Sequence, residues 1–244
     1  MRYVGGKSKI ARELASVILE NATSRKYYLE PFVGGGSMFA RLAPEFEWAV
    51  AGDAHPDIVM MWNALLQDGW TPPTDVSEDL YADLRNAPSS ALRGFVGMGG
   101  SFGGKWFGGY ARGGNNADGT PRNHQAESAR ALLKIRKDVS GSNVGRFRNW
   151  SFDRWEPVPG TVVYCDPPYQ DTQGYSTGEF DHDRFWNTVR GWANSGVEVF
   201  VSEYNAPDDF ECIWAKGKRM SLTQPSQGRP VNAERLFIHR KGGV

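Results

Sequence analysis

Along residues 7–22, KSKIARELASVILENA, the apolar Ile10, Leu14, Val17 and Ile18 recur at helical spacing with charges between them, which predicts an amphipathic helix. A short glycine turn, RYVGG, precedes it. The next stretch, KYYLEPFVGGGSMFARLAP, reads as a strand over residues 26–29, a glycine loop over 33–36 and a helix over 37–42. EWAVAGD then reads as a strand ending in Asp53, and PDIVMMWNALLQ as a helix. Strand, loop, helix, strand, acid, helix is the opening order of a doubly wound α/β sheet.

From about Thr71 the pattern changes. TPPTD (71–75) marks a junction, and short helical segments follow at 78–86 and 126–139. Between them lies SFGGKWFGGYARGGNNADG, too dense in glycine for a long regular element. The α/β pattern resumes with the strand TVVYC (161–165), a helix over 183–195, the strand VEVFVSEY and a final extended pair at 211–214 and 235–239. The expectation is an α/β body made of residues 1–70 and 151–244, with residues 71–150 inserted as a mainly helical region.

Composition adds limits. A chain of 244 residues, 40% hydrophobic and 23% charged, is ordinary for a soluble globular protein. The amino terminus carries charges through its apolar stretch and has no small-residue cleavage site, so it does not read as a signal peptide. No run approaches membrane-spanning length. Cys165 and Cys212 make neither a disulfide framework nor a zinc spacing, and His55, His124, His182 and His239 are scattered, so no metal is expected. A reducing cytosol is the default address. The net charge is zero, but of the 28 Lys/Arg and 28 Asp/Glu the segment 85–154 takes 12 and 4, leaving 16 and 24 elsewhere. One basic segment on an acidic body fits a polyanion-binding insertion, with a solvated basic helix face as the plainer alternative.

Three features carry candidate chemistry. EPFVGGGS (30–37) places glycines between a strand and a helix, where a ligand can approach the backbone; a tight packing turn is the competing reading. Phe39 stands where a dinucleotide fingerprint needs its third glycine, which argues against a nicotinamide cofactor. Asp53, at the end of the next strand, sits where an acid binds ribose hydroxyls in nucleotide-binding folds, or else it caps the following helix, for which Asp57 is also available. In DPPY (166–169) two prolines fix the Asp166 carboxylate and its neighbouring carbonyls as acceptors beside the Tyr169 ring. An exocyclic amino group on a nucleobase matches that set, since it offers two N–H donors on a stackable ring. Cys165, the last residue of the strand, reads as core.

The order RYVGGK, EPFVGGGSMF, GDAHPDI, DPPY resembles the Dam-like, alpha-class (D12-type) DNA adenine-N6 methyltransferases, and looks like a phage member. The resemblance implies a Rossmann-like, S-adenosylmethionine-dependent methyltransferase sheet, mostly parallel and doubly wound, with an antiparallel strand near the carboxyl terminus and an inserted DNA-recognition region. It implies methyl transfer to the N6 amine of a flipped-out adenine in double-stranded DNA by a monomer in the cytoplasm, that of the host if phage-encoded. Cytosine-N4 methylation and a catalytically silent DNA-binding relative are the alternatives. Tyr3 and Lys7 match the first motif, against the methyl donor; Pro31, Phe32, Gly34 and Gly36 match the loop around its methionine part; Asp53 matches the ribose acid. Asp166, Pro167, Pro168 and Tyr169 match the catalytic tetrapeptide, with Lys7 close to it and Asp166 also near the donor. Tyr175 and SEYN (202–205) resemble later pocket positions. The insertion resembles the family's recognition region, which implies DNA contacts for Lys105, Trp106 and Arg112, with Phe107 and Tyr110 as stacking or wedging rings, and for Arg130, Lys134, Arg136 and Lys137 on the helix that follows.

Overall fold

TVVYC forms β3 (Thr161–Cys165), and each of its five residues is buried. The computed structural model describes residues 1, 3, 5–169, 180–217 and 233–239. Tyr175 therefore lies outside the described residues. Around β3 stand β1 (Tyr27–Glu30), β2 (Trp48–Ala51), β4 (Glu198–Glu203), β5 (Phe210–Lys216) and β6 (Glu234–His239), in the order β2-β1-β3-β4-β6-β5. β2, β1, β3 and β4 are parallel neighbours, while β6 runs antiparallel to both β4 and β5.

Alternation along the strands builds two apolar layers. Tyr28, Tyr164 and Phe200 face one layer, where they meet Leu14 and Ile18 of α1 (Ala11–Asn21), Ile58 and Trp62 of α3 (Pro56–Leu66), Phe95 of α5 (Ala91–Gly99) and Leu132 of α6 (His124–Asp138). Leu29, Val163, Cys165 and Val201 face the other, against Phe185, Trp186 and Val189 of α7 (His182–Asn194). Among the described residues the remaining α-helices are α2 (Phe39–Leu42) and α4 (Glu78–Arg85). The mostly parallel, doubly wound sheet with an antiparallel strand near the carboxyl terminus is thus the fold expected. No helix among the described residues is long and apolar enough to cross a membrane.

Three departures from the sequence pattern matter for the site. The first helix begins at Ala11 rather than at residue 7, because the preceding residues turn: the Lys7 carbonyl accepts from both Ile10 N and Ala11 N, and the Lys7 side chain is buried. The helix α5 was not foreseen, since ALRGFVGMG holds three glycines. Its start is held from outside: Ser90 N and the Arg93 guanidinium both donate to Asp57, at 2.8 and 2.6 Å. Thirdly, residues 143–148 lie along β2, with Ala49 N donating to Asn143 O and Arg148 N to Ala51 O at 2.9 and 3.0 Å. They cover an edge that would otherwise stay unpaired.

Candidate active site

Parallel strands bring their carboxyl ends to one side of a sheet, and the chain leaves β1 for β2 on one flank and reaches β3 on the other. At that switch point opens a cavity of about 710 Å³. Its wall takes in the glycine loop after β1, Asp53 and His55 after β2, DPPY after β3 and Tyr204 after β4.

The glycine loop is shaped by what packs on it. Gly34 (φ +41°) lies against the Tyr3 ring, where a Cβ would fall 2.8 Å from a ring carbon, and Gly36 (φ +69°) lies 2.5 Å, on the same measure, from the Trp62 ring. Trp62 Nε1 also donates to Gly34 O at 2.9 Å. The turn is thus tightly packed from behind by Tyr3 and Trp62, and its residues also line the cavity. Phe32 turns to an aromatic group with Phe152, Phe180 and Phe185, and Pro31 is buried.

Asp53 joins the loop to the next helix. Its carboxylate accepts from Gly34 N at 3.0 Å and from His55 N, the residue before α3, at 2.9 Å. Burial pushes its carboxyl up to about 6, against the opposing pull of those two N–H groups. Asp57, the other candidate for that role, instead sits fully inside, paired with Arg93.

At the end of β3, Asp166 accepts from Lys7 Nζ at 2.7 Å. The lysine side chain is 4% exposed, so the pair is desolvated and each charge depends on the other. Burial raises the Asp166 carboxyl, and the Lys7 ammonium works against that rise. Lys7 Nζ also lies 4.6 Å from the centre of the Tyr169 ring and donates to Gly5 O at 3.2 Å. Tyr169 meets Tyr204 of SEYN edge to face at 4.6 Å, and its hydroxyl donates to Glu234 at 2.8 Å. Pro167 and Pro168 complete this corner of the wall. Cys165 is fully buried and burial drives its thiol well above the usual range, which leaves it an unreactive packing group.

Tyr3, Lys7, Pro31, Phe32, Gly34, Gly36, Asp53 and the whole of DPPY thus line one cavity, together with Lys105 and Trp106. Trp106 packs at 4.1 Å on His55 and over Gly97, with the Arg93 guanidinium 5.0 Å from its ring. Phe107 is buried, and the Tyr110 hydroxyl donates to Val76 O. The exposed aromatic of the glycine-dense loop is Phe102, at 70%, which the sequence reading did not single out. Away from the cavity, Arg112 pairs with Glu78, Lys134 pairs with Asp138, and Arg136 donates to Trp70 O at 3.2 Å. Arg130 and Lys137 are exposed and form no ion pair with a described residue.

Of the carboxyl groups in the wall, the sequence pattern did not point to Glu30, Asp153, Asp181 or Glu234. Glu30, the last residue of β1, is 2% exposed and accepts from the Tyr28 hydroxyl at 2.6 Å; burial lifts its carboxyl well above the usual range. Its signal was present in EPFVGGGS, as an acid closing an otherwise buried strand. Glu234 had no signal, because it reaches the site from the far end of the chain through β6. Among the described residues no cluster of three or more His, Cys, Asp or Glu could hold a metal ion.

Among solved structures the chain is similar to yhhF of Escherichia coli, described as a methyltransferase, with a TM-score of 0.42 and 10% identity over 96% of this chain and 88% of that one. It is also similar to the 23S rRNA methyltransferase ErmE (TM-score 0.43, 10% identity, 94% and 68% covered) and to the tRNA (m1A58) methyltransferase TrmI of Aquifex aeolicus (0.40, 13%, 96% and 70%). No curated protein matches the sequence. A family model does: D12 class N6 adenine-specific DNA methyltransferase, over residues 3–93. Those residues carry Lys7, the glycine loop and Asp53, so the similarity to that family falls on three segments of the cavity wall.

Proposed function

We propose that the chain is a site-specific methyltransferase that acts on the N6 amine of a flipped-out adenine in double-stranded DNA. The observation that carries this reading is the placement of Asp166, clamped by two prolines and by Lys7, in the same cavity as Asp53 and the glycine loop.

The wall fits S-adenosylmethionine as methyl donor. Among the described residues it holds six acids (Glu30, Asp53, Asp153, Asp166, Asp181 and Glu234) against Lys7, Lys105 and Arg184, which suits a ligand with a positive centre and disfavours a pyrophosphate. Asp53 is the group to accept from ribose hydroxyls, and Tyr3, Phe32 and the backbone of residues 34–36 bound the methionine end. When bound, the donor supplies a methyl group made electrophilic by its sulfonium centre.

The chain's own residues do the rest by holding the base. Asp166 and the Pro167 carbonyl accept the two N–H bonds of the target amine and localise the nitrogen lone pair. The Tyr169 ring bounds the base, and Lys7 keeps the Asp166 carboxylate in place. The methylated amine must shed one proton, and Asp166, whose proton affinity burial has raised, is the side chain placed to take it. Orientation of this kind can supply about 7–11 kcal/mol of a barrier.

The test is a nucleoside digest with mass spectrometry of plasmid DNA from a methylation-free host expressing the protein. N6-methyladenine is the expected product, absent with Asp166→Ala while donor binding persists in calorimetry. N4-methylcytosine would retain the chemistry and overturn the base; an active Asp166→Ala would overturn the role of that carboxylate.

A further inference from the structure

The first residues of β6 contact two tyrosines of the cavity, Tyr169 and Tyr204. Glu234 accepts from the Tyr169 hydroxyl at 2.8 Å and stands 3.8 Å from Lys7 Nζ, so one lysine is shared between Asp166 and Glu234. Its neighbour Arg235 donates to the Tyr204 carbonyl at 2.9 Å and to Asn205 Oδ1 at 3.3 Å. Tyr204 in turn packs edge to face on Tyr169. Lys7 thereby touches Asp166, Glu234 and the Tyr169 ring, and Glu234 ties the Tyr169 hydroxyl to the same lysine.

A tyrosine ring that only needed to be flat and apolar would have no use for an anchored hydroxyl. The bond fixes rotation of the ring about its long axis least and its tilt most, and tilt decides whether a base can lie along it. Glu234 is partly buried, at 19% side-chain exposure, and its partners are a hydroxyl and a shared ammonium, so its charge is matched without a dedicated counter-ion. We propose that Glu234 is a positioning residue for the target base, acting through the Tyr169 hydroxyl to keep ring and Asp166 carboxylate in one geometry. This rests on the reading of the cavity as a base-methylating site.

The experiment compares Glu234→Ala, Glu234→Gln, Tyr169→Phe and the Tyr169→Phe/Glu234→Ala double variant with the wild type. It follows transfer of labelled methyl to plasmid DNA and records melting temperature. If Glu234 works through the hydroxyl, Glu234→Ala and Tyr169→Phe each lower kcat about tenfold, in line with loss of one hydrogen bond to a charged group. The double variant then falls no further than either single one, which is the signature of a shared pathway. Glu234→Gln, which keeps an acceptor oxygen, recovers most of the rate, and KM for the donor stays within twofold of wild type throughout. Multiplying losses in the double variant, a glutamine as impaired as the alanine, or a fully active Glu234→Ala would each overturn the inference while leaving the proposed function standing. A stable wild type that transfers no methyl to DNA would remove the proposed function, and this inference with it.

Discussion

Asp53 shows why a sequence can leave two readings of one residue open. Its oxygens accept from Gly34 N and from His55 N, the residue before α3, and it lines the cavity. The sequence could place it at a strand end but could not choose between cap and ribose ligand, since both require a carboxylate there. Its carboxyl is raised to about 6, so it is protonated below that pH and ionised above it. A ribose hydroxyl donates to the ionised form. Donor affinity is therefore expected to be full above pH 6 and to fall about tenfold per pH unit below it, as calorimetry across pH 5–8 would record. For the free chain the sign is opposite: the folded state holds this proton more tightly than the unfolded state, so this group favours folding below pH 6 and that contribution is lost as pH rises through 6. Asp53→Ala should weaken donor binding by about 1.5–3 kcal/mol and abolish the pH step. Unchanged affinity in that variant would remove the ribose role.

Among the elements, β3 and α5 stand at opposite ends of legibility. TVVYC followed by DPPY announced a buried strand and its stop, because proline cannot continue a ladder and apolar β-formers fill both faces. The helix α5 was hidden because its glycines answer to a neighbour and not to helix propensity. A Cβ at Gly94 would lie 2.2 Å from the Asp57 carbonyl oxygen of α3, and one at Gly97 would lie 2.4 Å from the Trp106 ring. Close approach of α5 to α3 is what holds the Arg93–Asp57 pair inside. Gly94→Ala would gain helix propensity, roughly 1 kcal/mol in isolation, yet must push backbone against backbone. The net expectation is destabilisation of about 1–3 kcal/mol, readable as a lower urea midpoint with unchanged slope. A raised midpoint would show that α5 can shift away from α3.

At the scale of the whole molecule, the uneven charge was visible in the sequence, but its distribution among contacts was not. Of the four basic residues read on α6, Lys134 and Arg136 already serve Asp138 and the Trp70 carbonyl, whereas Arg130 and Lys137 stand exposed without a described ion partner. If the latter two bind phosphates, the slope of log affinity against log salt should flatten by about 0.9 for each residue replaced by alanine, measured on plasmid-derived duplex. Lys134→Ala should change that slope less, and equal slopes for all three would mark α6 as plain surface. Glu234 was illegible for a related reason of scale, since it meets Tyr169 across 65 positions of chain with no motif around it.

The reversed direction of β6 brings the start of that strand, not its end, to the edge where β1 to β4 finish. Lys7 meets Asp166 across 159 positions, and Glu234 adds the last member from beyond both. Such a centre has very high sequence separation, so loop-closure entropy delays it relative to local helices such as α3 and α6. During synthesis, at about 5–20 residues per second, the sheet from β1 to β4 can assemble before β6 leaves the ribosome. The bond between Tyr169 and Glu234 can form only after that, so the cavity wall is completed late in synthesis, when the sheet itself is finished.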